Sequence, residues 1–193
     1  MSPLGRRRVR RWVLLASFLA GALVIVVLLV LFATVGAERS SGQVAGVPSP
    51  PADAERVEIV SITDGDTVRA RGVDDDGVLP RDRDVPVRLI GVDTPEVRPS
   101  VECGGAEATR ALEDLLPVGS RAWVSVDAEP RDRYDRVLLY LWTEDGTFVN
   151  HALVASGAGV ALEVEPNSRY ADLFAAAEAS ARSADAGVWG SCR

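Results

Sequence analysis

"RVEIVSITDGDTVRAR", residues 56–71, carries the reading on which the fold turns. Its first seven residues alternate apolar and polar, the period of a strand with one buried face. "TDGD" at 63–66 supplies turn residues, and "TVRAR" resumes the extended pattern. The stretch therefore predicts a strand, a turn and a second strand. Downstream, "VPVRLIGV" (85–92), "RAWVSVDA" (121–128) and "RVLLYLWT" (136–143) read as three more strands. Helices are predicted at "EATRALEDLLP" (107–117), stopped by Pro117, and at "FVNHALVASGAG" (148–159). A longer one covers "SRYADLFAAAEASARSADAG" (168–187), with a Ser on its N-cap side and Gly187 as its C-terminal cap. Five short strands with interspersed helices predict a small α+β domain, a barrel with helices outside. "DDDGVLPRDRD" (74–84) is a polar loop whose carboxylates lack the alternating spacing of an EF-hand.

Upstream of Arg56 the texture is different. Residues 1–11 carry five arginines and read as a basic cytoplasmic tail. Trp12 to Ala37 then run 26 residues without a charged side chain, and about 20 suffice for a helix to cross a bilayer. The expectation is a single-pass membrane anchor at 12–37, with everything after it outside the cytoplasm. The alternative is a secreted product released near Ala37, since Val35-Gly36-Ala37 is a tolerable cleavage site. Residues 38–55, rich in Ser, Gly, Pro and Ala, read as a flexible linker, and 56–193 as the domain.

The two cysteines, Cys103 and Cys192, suit an oxidising compartment, which favours joining them. With one histidine, His151, they exclude most Cys/His zinc sites and leave little scope for histidine chemistry. His151 reads as an ordinary surface or core imidazole. All 21 basic residues are arginine. After residue 37, 16 arginines face 28 acidic side chains, a net of −12, unlike the basic surface of a nonspecific nucleic-acid binder.

Four segments carry chemistry: "DGDT" (64–67), "VRLIGVDTPE" (87–96), "ECGGAEA" (102–108) and "DRYDR" (132–136). Alone, the first reads as a hairpin turn and "DTPE" as a helix start capped by Asp93 or Thr94. Together they resemble the staphylococcal nuclease (thermonuclease) family, from about Val57 to Trp189. That resemblance implies an OB-fold five-stranded β-barrel with about three helices, and a monomer. It also implies calcium-dependent endonuclease activity on DNA and/or RNA, leaving 3′-phosphate ends. It gives Asp66, Asp93 and the Thr94 carbonyl as calcium ligands, a hard-oxygen set that suits the ion. Glu96 corresponds to the residue that takes or directs a proton of the attacking water. Arg88 and Arg136 correspond to the guanidiniums that meet charge gathering on phosphate oxygens. Tyr134 matches a tyrosine near the nucleotide phosphate. The family pattern also suggests that Cys103 and Cys192 form a bridge pinning the tail, with Trp189 a core anchor beside it.

Three departures from that pattern stand out. Leu162 and Val164 replace two tyrosines of the nucleotide site, beside Glu163 and Glu165; since stacking contributes ~1–3 kcal/mol per base, nucleotide affinity is expected to be weaker or placed elsewhere. Asp135 replaces a glycine, and is expected either to disturb the turn preceding Arg136 or to pair with Arg133 or Arg136 and partly neutralise the site. The 67–88 segment is lengthened into a surface loop. These changes, and the acidity, keep open a catalytically weak module that binds nucleic acid or protein. At physiological salt the Debye length is about 8 Å, so local charges outweigh the summed −12 in close contact.

Overall fold

The computed structural model describes residues 46–192. The expected tail, the membrane span at 12–37 and the cleavage point at Ala37 lie outside those residues. Among the described residues no helix is long and apolar enough to cross a membrane.

The quoted hairpin forms as predicted. β1 (Glu55–Ile62) pairs antiparallel with β2 (Thr67–Gly72), and a bulge near Val60 bends β1. β3 (Val85–Leu89) pairs with β2; β5 (Arg121–Ser125) pairs with β1; β6 (Val137–Thr143) closes the circle between β3 and β5. The result is a closed five-stranded barrel in which β3 and β6 run parallel, consistent with the expected OB-fold. Val57, Ile59, Val68, Val87, Leu89, Val124, Val137, Leu139 and Leu141 fill its interior. α1 (Gly105–Leu115) adds Leu112, and Leu116 follows it into the same core; full burial contributes ~2–3 kcal/mol for each such side chain.

β6 is buried on both faces, which explains its unbroken apolar run "VLLYLW". Its outer face, Tyr140 and Trp142, packs with Phe148 at the start of α2 (Val149–Ala155), and with Tyr170 and Phe174 of α3 (Ala171–Ser183) and its lead-in. Trp142 stacks on Phe148 at 4.5 Å. Buried Asn150 accepts the Leu141 N–H at 2.8 Å and donates to the Ile90 carbonyl at 2.8 Å. One amide thus ties β6 to the turn that leaves β3.

Several expectations need correction. "VPVRLIGV" is not one strand: Gly91 adopts φ +80°, and any Cβ there would lie 2.1 Å from the Phe174 ring. The chain therefore turns at Ile90-Gly91, and β4 (Val92–Asp93) pairs with β7 (Val160–Ala161) in a separate two-stranded sheet. The long helix stops at Ser183, so Gly187 is not its cap; it precedes the single-turn α4 (Val188–Ser191). The 38–55 linker assignment fails from Val47 onward. Val47 packs on the aromatic cluster and the Pro48 carbonyl accepts the Trp142 indole N–H at 2.9 Å. The 74–84 loop is polar outside but buries Leu79 completely, and the Glu55 carboxylate accepts the Val78 N–H. Trp189 is only half-buried, with the Arg182 guanidinium 4.1 Å above its ring. His151 is half-buried, and burial holds its pKa below the ordinary histidine value.

Candidate active site

Asp66 ends the hairpin turn and is 4% exposed. The turn can lie this deep because residue 65 is glycine: a Cβ would meet Ala108 Cβ at 2.7 Å and Thr94 Oγ1 at 2.8 Å. "DGDT" is thus both a hairpin turn and part of the site. Asp66 Oδ2 accepts the Thr94 N–H at 2.9 Å and the Thr94 hydroxyl at 3.1 Å. Its Oδ1 accepts the Thr67 hydroxyl at 3.0 Å and lies 3.1 Å from Arg88 Nη1. Arg88, registered opposite Thr67, donates through Nη1 to the Val92 carbonyl at 2.7 Å and through Nη2 to Asp93 Oδ1 at 2.8 Å. Asp66 and Asp93 are thereby held around one guanidinium. The Ile90-Gly91 turn, unforeseen in the sequence, is what brings Asp93 back to Arg88.

"DTPE" starts no helix; residues 94–97 are irregular, and α1 begins only at Gly105. The Glu96 carboxylate is exposed and has no hydrogen-bond or ion-pair partner among the described residues. Its backbone, by contrast, is held at both ends by Glu102. Partial burial, then the carboxylates of Asp64 and Asp93, push the Glu96 pKa above its ordinary value, with Arg88 offsetting part of the rise. A carboxylate so perturbed is a stronger base than a free glutamate.

The second arginine arrives through the parallel pair. Val87 and Leu89 register with Val137 and Leu139, all inside the barrel, so Arg88, Leu138 and the preceding Arg136 share the outer face. Arg136 Nε donates to Asp132 Oδ2 at 2.7 Å, and Asp132 Oδ1 accepts the backbone N–H groups of Tyr134 and Arg136. Burial alone would raise the Asp132 pKa, but these bonds hold it below the ordinary value. Asp135 adopts φ +64°, the conformation a glycine would take, and pairs with Arg131 at 2.9 Å, not with Arg133 or Arg136. The turn therefore survives the replacement, and both arginines keep clear of that carboxylate. Tyr134 is 64% exposed; Arg133 donates to its hydroxyl at 2.6 Å, and Arg136 lies 5.6 Å from its ring centre.

Arg88, Arg136 and Tyr134 line one cleft of about 530 Å³. Leu162 and Val164 form its apolar wall, so the two positions where the family pattern has tyrosines do face this space. Asn167 fixes that wall: its side chain accepts the Glu129 N–H at 2.8 Å and donates to the Glu129 carbonyl at 2.9 Å. Asp132, Asn167 and Glu102, whose hydrogen bonds hold these segments, are not among the residues expected from the sequence. Asp132 and Glu102 stand first in the quoted segments "DRYDR" and "ECGGAEA"; Asn167 lies outside all four. Cys103 and Cys192 form a disulfide, as expected.

Carboxylate oxygens of Asp66 and Asp93 are the donors a hard dication prefers. Among the described residues no group of three His, Cys, Asp or Glu side chains stands close enough to hold a metal. An ion here would complete its shell from carbonyls and water. One observation favours that fit: burial raises the Asp66 pKa to about 6, against the lowering by Arg88 and the Thr94 N–H. The site has more desolvated negative charge than Arg88 neutralises. Because the folded pKa lies above the unfolded value, the stability contribution is full below about pH 4 and lost as pH rises through about 6. Relative to the native protein, Asp66→Asn should therefore gain stability between pH 4 and pH 7.5 without divalent ions, as the native carboxylate ionises in its buried setting. Urea unfolding at both pH values checks this; an equal gain at the two would remove Asp66 as the titrating group.

Residues 86–191 match the family described as staphylococcal nuclease homologue. Thermonuclease of Staphylococcus intermedius is 36% identical over 131 residues, covering 66% of this chain and 72% of that protein. Thermonuclease of Staphylococcus hyicus is 29% identical over 170 residues, 86% and 95% of the two chains. Endonuclease YncB of Bacillus subtilis (strain 168) is 30% identical over 156 residues, 76% and 68%.

Proposed function

The chain belongs to the staphylococcal nuclease homologue family and is a nuclease, and from that premise we propose a calcium-dependent endonuclease that hydrolyses DNA and/or RNA to 3′-phosphate ends. The observation that carries this reading is that Arg88 and Arg136 open onto one cleft, while Arg88 also touches both carboxylates beside Glu96. A phosphodiester in that cleft meets two permanently charged, multi-donor groups on one side. Glu96 accepts a proton from water as the water oxygen bonds to phosphorus and the bond to the 5′-oxygen breaks. Arg88 and Arg136 stabilise the charge that builds on the phosphoryl oxygens during that step. Tyr134 orients the nucleotide through its phosphate, and Leu162 and Val164 offer the base apolar contact without ring stacking. Asp66, Asp93 and the Thr94 carbonyl would hold calcium, which supplies Lewis-acid polarisation and electrostatic relief when bound.

The reading predicts cleavage of single- and double-stranded nucleic acid with calcium and at least a hundredfold loss with chelator. Products should resist polymerase extension until treated with phosphatase. Unchanged rates in chelator would remove the metal assignment, and directly extendable ends would remove the bond assignment.

The same proposal places the domain outside the cytoplasm, monomeric, on an anchor at residues 12–37 or released near Ala37. Carbonate-washed membranes and N-terminal sequencing separate the two cases. Recovery of the intact chain in the cytoplasmic fraction would defeat both.

A further inference from the structure

Glu96 reaches its place without help from its own carboxylate, which no described residue holds. The backbone alone positions it, on a loop between β4 and α1 whose outer residue Val101 is 73% exposed. Glu102 closes that loop from the far side. Its Oε2 accepts the Glu96 N–H at 3.0 Å, and its own N–H donates to the Glu96 carbonyl at 2.8 Å. The next residue, Cys103, is bonded to Cys192 at the other end of the domain. Gly104, at φ +89°, lies between the loop and the tail: a Cβ there would come within 2.7 Å of Val188 Cγ1 and 3.5 Å of both Pro95 Cγ and Cys192 Sγ. The tail is itself tied down, with the Val188 N–H donating to the Gly157 carbonyl at 2.9 Å.

We propose that Glu102 is a positioning residue for Glu96, and that the Cys103–Cys192 bridge holds Glu102 in register by fastening the loop's return end to the C-terminal tail. The proposal rests on the proton-accepting role given to Glu96 above. Seven residues from Glu96 to Glu102 have no strand or helix of their own, so their freedom is limited by these end ties. A displacement of about 1 Å at a catalytic group costs up to about a hundredfold in rate. Clasp and bridge act on the same few atoms. The clasp sets the backbone of Glu96, and the bridge keeps the clasp from drifting.

The test uses the full chain with calcium and compares kcat and KM for Glu102→Ala, Glu102→Gln, Cys103→Ser/Cys192→Ser and Glu96→Gln, and for Glu102→Ala placed in the Glu96→Gln background. Glu102→Ala should lower kcat roughly 10- to 100-fold with KM within about twofold. Glu102→Gln keeps a side-chain oxygen for the Glu96 N–H and should recover most of that loss. The double serine variant, assayed well below its unfolding temperature, should lose about tenfold in kcat. Without the Glu96 carboxylate, Glu102→Ala should cost less than about twofold, because a positioned group is no longer there to misplace. Normal kcat in Glu102→Ala beside an inactive Glu96→Gln overturns the positioning role and leaves the role of Glu96 standing. Normal kcat in Glu96→Gln overturns the role of Glu96 itself. A Glu102→Gln variant as impaired as Glu102→Ala overturns the hydrogen-bond clasp, and an unimpaired double serine variant overturns the part given to the bridge.

Discussion

Replacing Glu96 by Gln should lower kcat about 10²- to 10⁴-fold, the range a positioned proton acceptor contributes, and leave the melting temperature within about 2 °C. The loss corresponds to about 3–5 kcal/mol of transition-state stabilisation. Little of it should be structural, because the Glu96 carboxylate is exposed and engages no described partner. The amide has nearly the same shape, so the loop ties through the backbone of residue 96 persist. KM should change little, since the proposed partners of the substrate's charge are Arg88 and Arg136 and not a carboxylate. The pH profile gives an independent check. Proton acceptance needs the ionised carboxylate, whose pKa lies above the ordinary glutamate value. In the native protein kcat should therefore fall as pH drops through that raised value, and the acid limb assigned to Glu96 should vanish in the Gln variant. Near-normal turnover would end the assignment.

Opening the bridge should produce the largest change in stability. Cys103 and Cys192 stand 89 residues apart, and closing a loop of that length restricts the unfolded chain by ~4–5 kcal/mol on the chain-entropy estimate. The Cys103→Ser/Cys192→Ser variant should lose about that much unfolding free energy. In a domain this size that is a fall in melting temperature on the order of 10 °C. Few packing contacts should be lost in the folded state, because Cys103 is exposed and α4 keeps its tie to Gly157. The effect therefore belongs mainly to the unfolded ensemble and should appear as a shifted denaturation midpoint with little loss of barrel signal. A measured change under about 1 kcal/mol would show that the unfolded chain already keeps these ends together.

Legibility in the sequence followed interaction range. Strands β1, β2, β5 and β6 announced themselves through alternation or continuous apolar runs, because burial imposes those periods directly on neighbouring residues. The glycine-to-Asp135 replacement looked like a threat to Arg136. It is absorbed by a left-handed backbone and an Arg131 partner, a choice made between residues that the local pattern does not rank. Trp189 looked like core and is instead a half-buried ring under Arg182.

The chain's order of residues was enough to specify a small barrel domain, its nuclease kinship and the acidic and basic groups of the candidate site, since motif spacing and hydrophobic period are local quantities. It was silent on the turn at Gly91, which forms because Phe174, more than 80 residues later, fills the space a side chain would need. It was equally silent on the pairing of Asp66 and Asp93 about Arg88, on the wall fixed by Asn167, and on the grip of Glu102 beside the bridge. Those contacts join segments brought together only by barrel closure, and a side chain's partner across such a junction is set by three-dimensional packing.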